Sequence, residues 1–555
     1  MPKIFIKKHL GKINNLFFLI GLSFFAFYMV FKSGERGFFA FDQSIVFDGG
    51  YRILKGQIPY KDFICPFGPV VFLIQALFFK FFGVTYFSYI FSAALFNVFA
   101  AILSVFMFRL LFPGEKFLSY ISGLLTAVWF YPPIGTLYTE QTAFFFSLAA
   151  VTLILKALSA QNLCLAGNNF VMFASGALAL VALLTKQNVG LFILPLYFLL
   201  IIAANLPSWK NIFRCNMIFL AGFMVNMALF ILWVCIKSDF RVFFRYFIET
   251  ALQVGINRVF WQRAHVYNVF LSGAGPLPNK IIILAGLFIA LAGSVIYFFR
   301  FKGARNSLRR YLLAIILCVY FIFSQYLFIS STSNDPENGF VFIGLIFSLS
   351  MALLLYKWEG VSVTDSSLKA RTPPILRITI RFTVFLLAAW LLISGIAVSL
   401  SRKVNNAFWQ AEFPRYLDIK GLESLKWGYP TRIHGVDIKE RDIKALYEYL
   451  KKKDKGFFIF PDFTIFYALL DKPSLQPVLW FHKGLTYSKL YDPDLDKSIV
   501  NGLINGRVEV IVLEEVSWFG TNERIDSFPV LKRYIGQNFR KNRGIGIFKI
   551  YEKTM

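Results

Sequence analysis

Apolar residues in this chain come in long unbroken runs. Stretches nearly free of charge lie near 14–32, 67–82, 86–112, 117–132, 140–158, 170–185, 188–205, 212–236, 278–300, 311–331, 338–356 and 380–400. About 18 such residues suffice for a helix to cross a bilayer, so these runs predict spanning helices. After residue 400 the pattern changes. The segment "DIKERDIKALYEYLKKK" (437–453) has helical periodicity, and "GFFIF" (456–460) reads as a strand. "DKSIVNGLING" (496–506) reads as a helix, "RVEVIVLEE" (507–515) as a strand, and "GIGIFKIYE" (544–552) as one more strand. The fold class that follows is a polytopic α-helical membrane protein with a C-terminal soluble α/β domain. The expected division is a membrane domain over 1–400 and a soluble domain over 401–555.

Charge decides which runs cross. If all twelve did, basic loops such as "PSWKNIFR" (207–214) and "RFKGARNSLRR" (300–310) would face outward, against the positive-inside rule. The run 67–82 is short, starts between Pro66 and Pro69, and carries Lys80. Laid at the outer interface, it leaves about eleven spans and brings every strongly basic loop inside. The N-terminus then lies inside and the C-terminal domain on the extracytoplasmic side of the cell membrane. A basic lead before the first run, with no small-residue cleavage site after it, reads as a retained helix. Four pieces share the outer face: 33–66, 131–141, 237–277 and 330–340, joined by the short turn at 185–188.

Composition sharpens this picture. The chain is 57% hydrophobic and 16% charged, with a net charge of +27. Binding of nucleic acid would need a clustered basic patch with reading elements, and the excess is instead spread over the inner loops. The expected partners are membrane lipids and no nucleic acid. The five cysteines, Cys65, Cys164, Cys215, Cys235 and Cys318, have no metal-site or paired spacing, and the soluble domain has none. No Gly-rich phosphate loop precedes a helix there, so a nucleotide site is not expected.

Ionisable groups at the membrane edge are costly, which makes those of the outer loops candidates for function. "FDQSIVFDGGYRILKGQIPYKDF" (41–63) carries Asp42, Asp48 and Asp62. A carboxylate here has the chemistry of a general base on an acceptor hydroxyl or amine; a solvated or helix-capping role is the plainer alternative. On a helix Asp42 and Asp48 point about 120° apart, so they need not serve one site. Glu140 opens a helix after Thr139, where an acid also suits the helix dipole, and Asp335 lies in the turn-forming "SNDPEN". Both, with Asp48, are candidates for orienting an acceptor or an ion. Cationic candidates are Lys186 and the group Arg258, Arg263 and His265 in "INRVFWQRAHVYNVF". No metal-ligand spacing is present; a divalent cation near the acidic loops is left open.

The pattern "FDQ…YRILKGQIPYKDF…PFGP", followed by an apolar helix ending in "FFG", resembles the first outer loop of GT-C fold glycosyltransferases. It is most similar to the bacterial branch related to protein O-mannosyltransferases and lipid A aminoarabinose transferases. "YTEQTAFFFSLAA" and "LLTKQNVGLFILPL" continue the resemblance. Where that superfamily often has Asp-Glu, this chain has Asp42-Gln43, so the second acid is missing. The resemblance implies inverting transfer of a sugar from a polyprenyl-phosphate-linked donor to an extracytoplasmic glycan, lipid or protein acceptor. Asp42 then falls on the base. Lys186, Arg258, Arg263 and His265 would hold the donor phosphate, because charge builds on the leaving group's oxygens. Competing readings are a ligase or polymerase of lipid-linked oligosaccharides, a flippase, and a non-catalytic envelope assembly protein of the same fold. A flippase would carry ionisable groups at the bilayer midplane, whereas the carboxylates here cluster at outer helix ends.

Overall fold

The computed structural model describes residues 2–65, 67–159, 166–206, 208–253, 305–332, 341–359, 374–401, 413, 415–428, 438–453, 456–479, 481, 494–515 and 525–554. The helical region runs α1 (Pro2–Gly34), α2 (Ala40–Leu54), α3 (Val70–Phe82), α4 (Tyr86–Leu111), α5 (Lys116–Trp129), α6 (Thr139–Ser159), α7 (Ala166–Thr185), α8 (Gln187–Asn205) and α9 (Trp209–Lys237). It continues with α10 (Phe240–Phe243), a π-helical turn (Phe244–Glu249), α11 (Arg305–Thr332), α12 (Ile343–Glu359) and α13 (Pro374–Ser401).

Among the described residues, seven helical stretches are long and apolar enough to cross a membrane: Ile13–Gly34, Tyr86–Leu111, Thr139–Leu158, Asn168–Thr185, Gln187–Asn205, Trp209–Lys237 and Arg381–Ser401. Of the other expected spans, 117–132 is the 14-residue α5, while 311–331 and 338–356 fall in helices of 28 and 17 residues. The run 278–300 lies outside the described residues. Helix α9 leaves Trp209, Phe213, Leu229 and Ile236 exposed along its length. Such a surface suits lipid and not water.

The run at 67–82 forms α3, 13 residues long. At 1.5 Å per residue that is about 20 Å, short of the roughly 30 Å hydrocarbon core. Its faces differ: Val71, Phe72, Gln75, Ala76 and Phe79 are buried, while Leu73, Leu77 and Phe81 are exposed. The buried face packs on α2. Gly49 permits this, since a β-carbon there would meet the Phe72 ring at 2.4 Å.

In the C-terminal region α14 (Glu440–Lys451) precedes β1 (Phe457–Phe460), then come α15 (Ile465–Leu469), α16 (Leu495–Asn505), β2 (Val510–Glu514), α17 (Pro529–Asn538), β3 (Phe539–Ile545) and β4 (Phe548–Lys553). The sheet order is β1-β2-β4-β3, with β1 and β2 parallel and the other pairs antiparallel. The single strand expected over 544–552 is instead the end of β3, a tight turn and β4. Gly546 makes that turn at φ +54, and Phe539–Ile545 supplies a strand whose polar "RKNR" hid it from an apolar pattern.

Alternate residues of β1 and β2 face opposite sides, as a pleated strand requires. Phe458, Phe460 and Ile511 pack with Ile499 and Leu503 of α16 and Leu531 and Ile535 of α17. Phe457, Ile459, Val510 and Val512 belong to one continuous core with Phe38, Phe47 and Phe63 around α2. The sheet is therefore seated on α2 and the loops that flank it. Backbone pairing reinforces the seat: Gly37 N–H donates to the Lys426 carbonyl at 2.8 Å, and Ile64 N–H to the Pro477 carbonyl at 2.7 Å. The Glu35 carboxylate, just past α1, accepts from Lys426 Nζ at 3.0 Å and Tyr416 Oη at 2.8 Å.

Candidate active site

Helix α2 starts at Ala40 and carries Asp42 in its first turn. The Gln43 side chain fixes that start. Its Oε1 accepts from Phe39 N–H at 2.7 Å and its Nε2 donates to Thr136 Oγ1 at 3.0 Å, tying α2 to the 131–141 loop. The residue in the place of the resemblance's second acid is thus a structural amide. Tyr138, on the same loop, donates its hydroxyl to Asp42 Oδ2 at 3.3 Å.

Glu140 lies in the first turn of α6 and is almost wholly buried. Its partner comes from another hairpin. Helix α7 ends at Thr185 and α8 begins at Gln187, leaving Lys186 as the single residue between them. The ammonium reaches Glu140 Oε1 at 2.9 Å, lies 5.2 Å from the Phe67 ring centroid and stays about one-fifth exposed. Gln187 extends the junction, donating from Nε2 to the Phe247 carbonyl of the π-helical turn at 3.1 Å. π-Helical turns recur at functional sites.

A third carboxylate arrives from the C-terminal region. Asp462 sits on the turn after β1, buried, and acts electrostatically on Asp42. The Asp42 carboxyl is pushed up to about 7, by burial first and next by the Glu140 charge; the Tyr138 hydrogen bond and Lys186 oppose the rise, and Asp462 adds to it. A carboxyl in that range exchanges protons near neutrality, which is what a general base needs.

Of the residues singled out in the sequence, Asp42, Glu140 and Lys186 come together here. Asp48 does not join them. It faces Arg52 one helical turn on, Nε to Oδ2 at 3.0 Å, with both side chains buried. Arg52 also donates to the Gln476 carbonyl at 2.6 Å and to Ser474 Oγ, so this pair fastens α2 to the C-terminal region. Asp48, expected to orient an acceptor or ion, is thus paired with Arg52 and stands apart from the group around Asp42. Asp335, Arg258, Arg263 and His265 lie outside the described residues. Among the described residues no group of three or more His, Cys, Asp or Glu stands close enough to hold a metal ion.

Sequence reading missed Tyr138, Gln43 and, above all, Asp462 with its support Glu514. One signal was available. "FFIFPD" and "VIVLEE" are apolar strands that each end in an acid, and ligands of α/β sheets gather at the carboxyl ends of parallel strands.

No protein-family model matches the sequence, and no curated protein matches it significantly. Solved structures do match in fold. ArnT from Cupriavidus metallidurans bound to undecaprenyl phosphate superposes with a TM-score of 0.51 at 12% identity, over 97% of this chain and 98% of that one. The apo state of the same protein gives 0.50 at 12% identity over 98% of both chains. An Archaeoglobus fulgidus oligosaccharyltransferase in complex with Zn and sulfate gives 0.52 at 11% identity, over 97% of this chain and 73% of that one. At such identity the likeness is one of fold, and it extends from the membrane helices into the C-terminal region. The chain is a multi-pass membrane protein with the GT-C fold of these glycosyltransferases.

Proposed function

We propose that this protein is a membrane glycosyltransferase that moves a sugar from a polyprenyl-phosphate donor to an acceptor on the extracytoplasmic side, where the C-terminal region also lies. The observation that carries the reading is Asp42: a carboxyl whose proton affinity is raised to about 7, beside a lysine paired with Glu140, at the edge of the membrane helices. The GT-C fold supports it, as does the undecaprenyl phosphate bound to ArnT, a protein of like fold.

In the proposed step the acceptor hydroxyl or amine gives its proton to the Asp42 carboxylate as its oxygen or nitrogen bonds to the sugar's anomeric carbon. The bond from that carbon to the phosphate oxygen breaks, and its electron pair leaves with the lipid phosphate. Lys186 meets the charge that builds on the phosphate. Glu140 holds the ammonium in place and keeps it from folding onto Asp42. Arg258, Arg263 and His265 are proposed as further phosphate contacts and Asp335 as an acceptor contact. Lys186 is, among the described residues, the cation that faces Asp42 in this scheme.

The test is mass spectrometry of lipid-linked sugars in cells that carry the wild type, a deletion, or Asp42→Asn. The expected result is a polyprenyl-phosphate monosaccharide that accumulates in both altered strains. A lipid-linked oligosaccharide accumulating in its place would favour a ligase, polymerase or flippase. Accumulation in the deletion strain alone would remove Asp42 from the chemistry.

A further inference from the structure

Asp462 reaches the site from a distant part of the chain, and the fold takes care to hold it there. Strand β1 delivers Pro461 and Asp462 at its carboxyl end, and the parallel neighbour β2 ends on Glu514. Glu514 is fully buried. Its Oε1 accepts from the N–H of Asp462 at 2.7 Å and from that of Phe463 at 2.9 Å. One carboxylate on two successive peptide N–H groups fixes the turn's geometry. The Phe463 ring then packs 6.2 Å from the Phe38 ring, just before α2, and α15 packs along α2 itself. The turn is thereby held at the end of α2 that carries Asp42. Asp462 is 6% exposed, and charges interact strongly where water is scarce.

We propose that Asp462 is a positioning residue of the active site, acting on Asp42 through its charge, so that the C-terminal region is an obligatory half of the catalytic centre. This rests on the reading of Asp42 as the general base. Among the described residues, the titratable groups that face Asp42 are Tyr138 from the 131–141 loop, Glu140 from α6, Lys186 from the α7–α8 junction and Asp462 from the turn after β1. Glu140 is committed to Lys186; Asp462 is the acid whose presence depends on the seating of the C-terminal region. With the sheet seated, Asp42 has a negative neighbour in Asp462, and that charge makes it a stronger base.

The experiment is an infrared pH titration of the full-length protein in lipid nanodiscs. The protonated-carboxyl band that disappears in Asp42→Asn reports Asp42. The expected wild-type midpoint is about 7. Asp462→Asn is expected to lower it, by less than Glu140→Gln does, because Glu140 is the larger of the two influences. Asp462→Glu, which restores the charge, is expected to bring the midpoint back, and the acid limb of the transfer rate is expected to move with the band. A midpoint unmoved by Asp462→Asn overturns the proposal. So does a midpoint lowered equally by Asp462→Glu, which would mark loosened packing and not charge. Transfer retained by Asp42→Asn overturns the base assignment and this inference with it. An unmoved band combined with loss of transfer in Asp42→Asn overturns this inference alone.

Discussion

Asp42 and Asp48 are the same residue type on the same helix, six positions apart, yet the fold treats them oppositely. Asp48 is given a guanidinium at 3.0 Å, and that guanidinium is in turn saturated by Ser474 and the Gln476 carbonyl. Asp42 is given a tyrosine hydroxyl at 3.3 Å and faces two further acids, and the nearby ammonium is already held by Glu140. A buried charge without a close counter-charge is expensive. At one end of α2 that cost has been removed to fasten the C-terminal region; at the other it has been retained. In the proposed mechanism the retained cost serves chemistry, and the neutralised pair serves architecture. Residue type alone would not separate the two.

The contrast can be broken by exchanging the two phenotypes. Asp48→Asn strands the Arg52 guanidinium in the core, and breaking a buried pair costs about 3–5 kcal/mol. The expected outcome is a large drop in thermal stability and a C-terminal region open to protease, both measured on the purified protein. Asp42→Asn is expected to do the reverse in the same melt. A carboxyl whose folded proton affinity is raised contributes stability at low pH that is lost as pH rises from 3.8 toward 7. The amide cannot ionise, so its Tm should exceed the wild type's at pH 8 and converge with it in acid. A lower Tm for Asp42→Asn at pH 8 would mean that Asp42 is an anchor as well.

Smaller changes sharpen the comparison. Lys186→Met should lower single-turnover transfer by roughly 100-fold, the usual loss for one donor at a site of developing charge, and should raise the pH at which Asp42 titrates. An unchanged rate would remove Lys186 from the donor's phosphate. Below the Asp42 midpoint the base is protonated, so the wild-type rate should fall about tenfold per pH unit below about 7 and level off above it. The mildest change is Tyr138→Phe. Its hydroxyl favours the charged form of Asp42, so the acid limb should shift upward in pH with the plateau rate little altered. A downward shift would contradict the hydrogen bond at 3.3 Å.

Much of the fold could be read from the chain because lipid imposes a simple rule on it. Long uncharged runs such as 215–236 have one physical use, and the short α3 with Lys80 declared itself by failing that use. The strand Phe539–Ile545 was hidden because an edge strand needs no apolar face; its Arg540, Lys541 and Arg543 are exposed. At the site, Asp42, Glu140 and Lys186 were legible as ionisable groups at helix ends. The different fates of Asp42 and Asp48 were not, because Ser474 and Gln476, whose atoms bind Arg52, lie more than 400 residues away. Asp462 was invisible for the same reason: its meaning depends on a sheet docking on a loop, and periodicity carries no information about docking.

The most direct test is single-turnover transfer by purified Asp42→Asn, with the polyprenyl-phosphate donor identified from cells already bound. The expected result is donor binding like that of the wild type and a rate at least ~100-fold lower, in line with the loss of a general base. Transfer within a few-fold of the wild-type rate, with the same donor bound, would contradict the assignment of Asp42 and the mechanism built on it.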